Sequence, residues 1–414
     1  MAGVGARPGV DFRDPGLPRR LHGAFSGLRE DDPVCRLRDG FWFVTRYDDV
    51  AVLLKDRVRL GTDLHAVRGY DEARPFGAGS ALERFQEGLL INLPAADHRR
   101  VRGAFTKPFT RGAVEASMGE LVAREAAALL AALPDDGEVD WVAAVAQPLP
   151  ARVFMALFDL PHDDMDMLLA LLHQDTVAID VLLDPAIVAA EDLARGQAAM
   201  LGLVTYLEEL AVARLDAGAT GDDLLSWLLR AHRDGVLSWD DVLTQAMESL
   251  AAGTSTTQTL LSGMIEAFAA FPGEWDRVAA DPSLVTSAVE EALRFVSPAL
   301  TMGRVVLEDF TLHGRSLRAG DVVQCAVLVA NRDPAAFPEP DRFDVGRTPN
   351  RHVAFGGGVH TCLGAHVARL EAREVLERAA ERWRRIEVDG DGGTLHPTLM
   401  IRTYKSLPVR LVGR

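Results

Sequence analysis

The sequence predicts a mainly α-helical fold with small β sheets. From Thr110 to Phe271 the apolar residues recur with helical spacing, and short segments rich in Pro, Gly and Asp separate the helices. The last of these helices is long enough to cross a whole domain. Two short runs of β-branched and aromatic residues, Phe41–Thr45 and Val305–Leu307, predict strands outside this helical part.

Composition and charge limit the classes of protein that fit this chain. It has 414 residues, of which 48% are hydrophobic, so it can bury an extensive core. The formal net charge of -16 at pH 7 argues against nonspecific binding to nucleic acid or to an anionic membrane. We expect a monomer with one domain over residues 1–414, in which residues 1–40, rich in Pro, Arg and Gly, wrap the surface.

The cysteines and the N-terminal sequence point to a cellular compartment. The three cysteines, Cys35, Cys325 and Cys362, are an odd number without CxxC spacing, which argues against a disulfide framework and a structural zinc site. No apolar core of signal-peptide length follows Met1, and no stretch of about 18 apolar residues occurs. We therefore expect a soluble, cytoplasmic protein without a membrane anchor.

The N-terminal third combines a helix with a long connection. Residues Asp48–Asp56 have the spacing of an amphipathic helix. The mixed signals over Gly61–Gly88 predict an irregular connection, and long loops are often functional. His98 and Arg102 follow on a predicted helix, four residues apart and therefore on one face. By itself, this pair is also compatible with a solvated basic patch.

The longest predicted helix begins after Ser238 and ends at Phe271. Ser238 is an N-cap candidate with Asp241 at the third helical position, and Pro272-Gly273 stops the helix. Its roughly 33 residues correspond to about 50 Å. Because the segment is apolar on nearly all sides, we expect it to be buried.

The middle of this helix has an unusual composition. It reads Ala252-Gly253-Thr254-Ser255-Thr256-Thr257, and a glycine beside hydroxyl residues is a poor helix interior. The simplest interpretation is a kink caused by close packing. Glu248 lies on the stripe of Ala252 and Thr256. A carboxylate buried there must be protonated or matched, either by an arginine of a neighbouring helix or by a group in a pocket.

Three consecutive glycines near the C-terminal end lead to a cysteine. Gly356–Gly358 precede Cys362, and a run of good helix formers begins at Ala365. Cys362 therefore lies where a loop enters a helix. Unpaired backbone N–H groups and the helix dipole at this point lower the pKa of a thiol, so we expect a thiolate that can bind a soft metal.

Other interpretations of this loop remain open on these residues alone. A single cysteine is usually a small buried hydrophobic residue, and a triple glycine is usually a turn. A phosphate-binding loop would need Lys-Ser or Lys-Thr after the glycines, where this chain has Val359-His360. A Cys/His hydrolase is conceivable because His360 is two residues from Cys362.

The complete loop pattern indicates one family. It reads Phe355-Gly356-x-Gly358-x-His360-x-Cys362-x-Gly364. This pattern resembles the haem-binding loop of the cytochrome P450 family, bacterial and soluble type, and the resemblance extends from about Phe41 to Leu411. It implies the cytochrome P450 fold, with haem between the long central helix and the helix that follows the cysteine. The family's cysteine thiolate is the axial iron ligand and promotes cleavage of the O–O bond.

The resemblance implies roles for individual residues. Cys362 would bind the iron of haem b, with Phe355 beside the sulfur and Gly364 in the cofactor-binding loop. The haem propionates would be bound by His98, Arg102, Arg304 and His360. The expected substrate-pocket residues are Glu248, Ala251, Ala252, Leu300, Thr301, Met302 and Met400.

The oxygen site departs from the family pattern. The resemblance implies that Gly253, Ser255 and Thr256 lie in a distorted part of the central helix that receives oxygen. The family usually has Asp or Glu where this chain has Ser255. A hydroxyl relays a proton but does not supply one at neutral pH. We therefore predict that cleavage of the O–O bond relies on Thr256, ordered water and a group of the substrate.

Two further clusters follow from the resemblance. Glu291 and Arg294, an i, i+3 pair that is a weak signal alone, would form a structural Glu/Arg/Arg cluster with Arg342. A basic docking surface for an electron donor would consist of Arg99, Lys107, Arg111 and Arg369.

The expected activity is monooxygenation. One oxygen atom of O₂ would enter a small organic substrate of secondary metabolism or catabolism, with electrons from NAD(P)H through a ferredoxin or similar partner. Within the family, oxidative coupling, dehydration or peroxide-driven chemistry is the alternative. Two alternatives do not use O₂ as a substrate: a haem-binding sensor or carrier, and a hydrolase with a cysteine nucleophile. Pigmentation excludes the hydrolase, and NAD(P)H-driven product formation excludes the sensor.

Overall fold

The computed structural model describes residues 17–36, 40–73, 79–171, 190–218, 221–390, 392–395 and 401–414. These residues form a mainly helical structure with small sheets, as the sequence predicts. The helices are Leu17–Asp31, Tyr47–Leu53, Tyr70–Ala73, Ala81–Gly88, Ala95–Phe105, Arg111–Ala131, Pro148–Leu157, Ala190–Asp216, Leu224–Arg233, Trp239–Ala270, Pro272–Ala280, Val285–Val296, Val327–Ala330 and Ala365–Arg382, and residues 165–171 are also helical.

The largest sheet brings together strands that are distant in the sequence. Its five strands, in spatial order, are Val34–Arg36, Trp42–Val44, Val322–Cys325, Met302–Val306 and Leu60–Gly61. A three-stranded sheet has the order Gly137–Asp140, Pro408–Gly413, Trp383–Val388. The two remaining pairs are Phe310–Leu312 with Arg315–Leu317 and Thr394–Leu395 with Tyr404–Ser406.

The central helix, Trp239–Ala270, organises the helical part. Ser238 Oγ accepts the Asp241 backbone N–H, and the Asp241 carboxylate accepts the Ser238 N–H, so the predicted N-cap is a full capping box. Phe271 is the C-cap, and the next helix starts at Pro272. Most residues of the central helix are buried, because it packs against several other helices.

Side-chain bonds attach the first half of the central helix to the segment before and within Ala95–Phe105. Arg100 donates to Asp241 at 2.7 Å, and Gln245 Nε2 donates to the Gly88 carbonyl at 2.9 Å. A Cβ at Gly88 would be 3.2 Å from the Thr244 side chain, so glycine permits this close approach. These contacts fix the helix that carries His98 and Arg102.

An ion cluster built on the fully buried Glu291 and Arg294 holds the chain ahead of the cysteine loop. Arg294 donates to both oxygens of Glu291 at 2.8 Å, and Arg347 Nε donates to both at 3.1 Å. The third member is therefore Arg347, and the prediction of Arg342 is wrong. Arg342 contributes its carbonyl, which accepts from Arg294 at 3.1 Å, while its guanidinium pairs with Glu339 at 3.4 Å.

Asn331 connects this cluster to the cysteine loop. Its carbonyl oxygen accepts from Arg294 at 2.8 Å, and its side-chain Oδ1 accepts the Val353 N–H at 2.8 Å. Asn331 Nδ2 donates to Ser297 Oγ at 2.8 Å. Since Asn331 is fully buried and satisfied on both ends of its amide, it fixes where the loop begins.

Over the described part of the chain, none of the helices is both long enough and apolar enough to cross a bilayer.

Candidate functional site

The cysteine loop, residues 353–364, is closed by its own backbone. The Cys362 N–H donates to the Phe355 carbonyl at 2.9 Å, and a single 3₁₀ turn covers Gly358–His360. The Cys-loop helix, Ala365–Arg382, begins directly afterwards. Cys362 therefore sits at the predicted loop-to-helix junction, and its side chain is exposed and unpaired.

Two of the three glycines are required by close contacts. Gly356 has a φ of +71° and Gly358 a φ of +68°, a region that other residues rarely adopt. A Cβ on Gly356 would be 3.0 Å from Met302 Sδ, and one on Gly358 would be 3.2 Å from the Lys55 backbone. The loop is thus pressed between a strand of the large sheet and the end of the helix Tyr47–Leu53.

The electrostatic surroundings of the thiol differ from the expectation. Although Cys362 keeps accessible surface, the protein atoms packed around its thiol displace water and raise its pKa above the ordinary value, while the Gly364 N–H and the charges of Arg102 and Arg369 lower it. The prediction of a lowered thiol pKa is therefore wrong for the protein without metal, because burial outweighs the helix terminus. A bound metal cation would stabilise the thiolate directly.

Four cationic or potentially cationic side chains gather near Cys362: His98, Arg102, Arg304 and His360. The two imidazole rings are 4.2 Å apart between centroids. Arg102 Nη2 donates to the Thr361 carbonyl at 2.6 Å, and Arg304 Nη1 donates to the Gly303 carbonyl at 2.7 Å. The predicted set is therefore brought together from three separate parts of the chain.

The side chains of this cluster are buried or half-buried, and they have no anionic partner among the described residues. Burial lowers the pKa values of His98, Arg102 and Arg304, and burial together with Arg304, His98 and Arg102 lowers that of His360 to about 3. Within the described residues, none of the four forms an ion pair with a carboxylate. His98 Nε2 is buried without a hydrogen-bond partner. The donor set fits a ligand that brings carboxylates, as haem b does with its two propionates.

The central helix has an exposed position in its middle. Ala252 is exposed although Leu250 and Thr254, two residues away on either side, are buried. Thr256 Oγ1 donates to the Ala252 carbonyl at 2.6 Å, and Ser255 Oγ donates to the Ala251 carbonyl at 3.0 Å. The helix runs through this segment without a break, so the expected distortion is not observed, and the hydroxyl groups bond to the preceding turn of a continuous helix.

Comparison with known proteins decides the family. The family model described as Cytochrome P450 matches residues 70–384. The chain belongs to the cytochrome P450 family. The cofactor of this family is haem b with a cysteine thiolate as axial ligand, and the position of Cys362 between the glycine loop and the following helix makes it the candidate for that ligand here.

The similarity covers nearly the whole chain. Identity is 33% over 417 residues to the cytochrome P450 monooxygenase PikC of Streptomyces venezuelae, covering 97% of this chain and 92% of PikC. It is 36% over 366 residues to the vitamin D(3) 25-hydroxylase of Pseudonocardia autotrophica, covering 86% and 85%. The crystal structure of CalO2 has a TM-score of 0.87 at 27% identity and covers 98% of this chain and 100% of CalO2. The predicted fold is confirmed, and the chain is a cytochrome P450 monooxygenase.

Gly253 has a packing contact in this cytochrome P450. A Cβ at Gly253 would be 2.0 Å from Cζ of Phe154, which belongs to the helix Pro148–Leu157. The ring therefore occupies the place of a side chain at this point of the central helix. This contact accounts for the glycine without any role in oxygen binding, and such a role stays a prediction.

Among the described residues, Glu248 bonds to backbone N–H groups and not to an arginine. Its Oε2 accepts the Leu90 N–H at 2.6 Å, and the Ile91 N–H also bonds to the carboxylate. Burial raises the pKa of Glu248 to about 7, and the two N–H groups lower it. The carboxylate thus attaches the turn after the helix Ala81–Gly88 to the central helix, one turn before the open surface at Ala252.

The remaining predicted pocket residues differ in placement. Leu300 is buried and packs in a core cluster with Phe25 and Phe43. Thr301 is 9% exposed, and Met302 places its sulfur beside Gly356 of the cysteine loop. Met400 lies outside the described residues.

Sequence reasoning missed one group of residues beneath the cysteine loop. Glu290 accepts from Arg369 at 2.7 and 2.9 Å and from His352 Nε2 at 3.1 Å. Arg369 therefore is not the free surface cation that the docking prediction assumed. The available signal was weak: two adjacent acids, Glu290 and Glu291, on a helix of which one side is buried.

Proposed function

We propose that this cytochrome P450 inserts one oxygen atom of O₂ into a small organic molecule of secondary metabolism or catabolism, as one catalytic domain over residues 1–414. The observation that carries the proposal is the position of Cys362 near two buried donors, His98 and Arg304, and two half-buried ones, Arg102 and His360, none of which pairs with a carboxylate among the described residues. Haem b, when bound there, supplies the iron at which O₂ is activated. The names of PikC, a monooxygenase, and of the vitamin D(3) 25-hydroxylase support this chemistry.

A carboxyl group one turn before exposed Ala252 suggests the substrate class. Ala251 and Ala252 form an apolar surface, and Glu248 lies one turn away. Its carboxylate can accept about four hydrogen bonds and accepts two, from the Leu90 and Ile91 N–H groups. A substrate with an N–H, hydroxyl or cationic group on an apolar frame complements this surface. Thr301 and Met302 would form the opposite side, next to the cysteine loop.

Thr256 and Ser255 are proposed to carry protons to the oxygen site. Both hydroxyls donate to carbonyls one turn back, so their oxygens are free to accept from water. Neither hydroxyl is acidic at neutral pH, and the proton must therefore come through ordered water or from the substrate.

Electrons are proposed to come from NAD(P)H through a ferredoxin or similar protein. Arg99, Lys107 and Arg111 are exposed on an acidic chain, and they are close together in sequence at the end of the helix that carries His98. Opposite charge on the donor would steer its encounter with this surface. All three cysteines are free, which is typical of a reducing compartment and supports a cytoplasmic location. We propose a monomer that binds no nucleic acid.

Ser255 also favours a second candidate, peroxide-driven oxidation. Hydrogen peroxide already carries two electrons and two protons, so its use depends less on proton delivery by the protein. Oxidative coupling or dehydration at the same site would likewise depend less on proton delivery by the protein.

The test begins with the purified, haem-loaded protein. Cys362→Ala should abolish the thiolate-type spectrum of the reduced CO complex, with Cys35→Ala as the matched control that retains it. Small molecules that shift the haem spectrum are then supplied with isotopically labelled O₂, NADPH, a ferredoxin and its reductase. One labelled oxygen atom in the product supports the proposal. A survival of the CO spectrum in Cys362→Ala, or product formed only with peroxide, would overturn it.

A further inference from the structure

A charged pair lies directly beneath the cysteine loop. Glu290 belongs to the helix Val285–Val296, and Arg369 to the Cys-loop helix. Arg369 Nε donates to one carboxylate oxygen at 2.7 Å and Nη2 donates to the other at 2.9 Å. This two-point geometry fixes the plane of the guanidinium group as well as its position.

The plane of the guanidinium group matters because an aromatic ring lies against it. The Arg369 Cζ is 4.5 Å from the centre of the Phe355 ring, within the range of a cation–π contact. Phe355 in turn accepts the Cys362 N–H through its carbonyl at 2.9 Å. Glu290, Arg369 and Phe355 therefore form a continuous series of contacts that ends at the metal ligand.

His352 completes the arrangement and fixes its charge state. The Ala354 N–H donates to His352 Nδ1 at 3.2 Å, so the proton of a neutral His352 is on Nε2, which donates to Glu290 at 3.1 Å. Burial disfavours the charged carboxylate, but the bonds from Arg369 and His352 outweigh it and lower the pKa of Glu290 to about 2. At neutral pH the pair is a carboxylate facing a guanidinium.

The two charges act unequally on the sulfur. Arg369 touches the cysteine loop itself, at the Phe355 ring, whereas the carboxylate of Glu290 bonds to Arg369 and to His352. The guanidinium group is thus the charge nearer to the cysteine loop, and the Glu290 carboxylate partly offsets its field.

We propose that Glu290 and Arg369, through their opposite charges beneath the Phe355 end of the cysteine loop, set the reduction potential of the iron bound by Cys362. The proposal rests on Cys362 as the haem ligand and not on the identity of the substrate. One electron from the donor converts ferric to ferrous iron, no bond is made or broken, and the site gains one negative charge. A nearby cation therefore raises the reduction potential, and a nearby anion lowers it.

The test measures the reduction potential of haem-loaded variants by reductive titration with mediator dyes. Arg369→Gln should shift the potential to more negative values. Glu290→Gln should shift it to more positive values, and by less, because the carboxylate is farther from the sulfur. The double variant should lie between the two. Opposite shifts of this kind are not expected from a merely structural pair, because both losses would then disturb the loop in the same way.

The chain offers a matched control one turn further along the Cys-loop helix. Arg373 Nη1 donates to Glu115 at 3.1 Å, and the described hydrogen bonds of this pair do not involve the cysteine loop. Arg373→Gln and Glu115→Gln should leave the potential at the wild-type value. Arg369→Lys, which keeps the charge and loses the planar fork, should show a smaller shift than Arg369→Gln.

Shifts of the same sign in Arg369→Gln and Glu290→Gln, or shifts no larger than those of the control pair, would overturn the proposal. So would an Arg369→Lys variant that shifts as far as Arg369→Gln or fails to take up haem, since the pair would then act through loop structure and not through charge.

Discussion

The ring of Phe154 takes the place of a side chain at Gly253, so that a Cβ there would be 2.0 Å from Cζ and 2.1 Å from Cε2 of the ring. The contact joins the helix Pro148–Leu157 to the central helix beside the hydroxyl residues of the oxygen site. Phe154 is embedded in the core and is 3% exposed. The ring has little room to move aside, because protein interiors are close-packed.

Gly253→Ala should therefore destabilise the protein, although alanine is ordinarily the better helix former. Overpacking of this kind costs about 1–3 kcal/mol. The matched control is Gly119→Ala in the middle of the helix Arg111–Ala131, where a Cβ would meet nothing within 4 Å. That control should gain up to about 1 kcal/mol from helix propensity alone. Thermal unfolding of the two variants gives the comparison, and an equal gain in both would contradict the packing role of Gly253.

The propionate assignment gives a second prediction. Alanine at His98, Arg102, Arg304 or His360 removes a donor from a cluster that has no carboxylate of its own among the described residues. Loss of a hydrogen bond to a charged group costs about 1.5–3 kcal/mol. This corresponds to haem loss about 10- to 150-fold faster. Transfer of haem to excess apomyoglobin measures the rate.

The control for this series is Arg124→Ala, an exposed arginine that pairs only with Glu125 within the described part of the chain. Its haem loss should equal that of the wild type. Wild-type retention in all four cluster variants would show that these residues do not bind the propionates.

The sequence was sufficient for those elements in which the determining interactions are local. The central helix illustrates this: its cap depends on Ser238 and Asp241, three residues apart, and its end depends on Pro272. Cys362 and its glycines could also be located, because the positive φ angles of Gly356 and Gly358 leave a direct trace in residue type.

Contacts between segments that are distant along the chain could not be predicted from the sequence in the same way. Arg342 and Arg347 are both arginines in a loop before the cysteine, and only the folded path of the chain shows that Arg347 meets Glu291. The lowered thiol pKa that was expected for Cys362 failed for a related reason. A helix terminus is visible in a sequence, whereas the depth of burial that outweighs it is a property of the whole fold.

The Ser255 departure leads to a third prediction. Ser255→Asp places an acid beside Thr256 on the helix face next to Ala252, and it should raise the fraction of NADPH electrons that appear in product. The physical reason is that a carboxyl group exchanges protons with water and a hydroxyl at neutral pH does not. Ser255→Asn is the matched control, since its amide has nearly the same shape and no acidic proton.

Coupling is measured as product formed per NADPH consumed, with the same substrate for all three proteins. Equal coupling in Ser255→Asp and Ser255→Asn would mean that proton supply does not limit this enzyme at that position.

The last prediction concerns Glu248 and the pH dependence of stability. Burial raises the pKa of its carboxyl group from 4.5 to about 7, against the lowering effect of the Leu90 and Ile91 N–H groups. Between these two pH values the folded protein binds more protons at this site than the unfolded chain. The free energy of unfolding therefore falls as the pH rises through this window, by at most about 3 kcal/mol, and the loss levels off above it.

Glu248→Gln keeps an acceptor oxygen for the Leu90 N–H and cannot ionise, so it should lose this dependence. The difference in unfolding free energy between Glu248→Gln and wild type should grow in favour of the variant as the pH rises from 4.5 to 7. Glu120→Gln, which changes an exposed carboxyl on the helix Arg111–Ala131, should run parallel to the wild type over the same range. A Glu248→Gln curve that also runs parallel would mean that the carboxylate is hydrated in solution. The turn at Leu90 and Ile91 would then be free to leave the central helix, and the proposed polar contact to substrate would lose its fixed position.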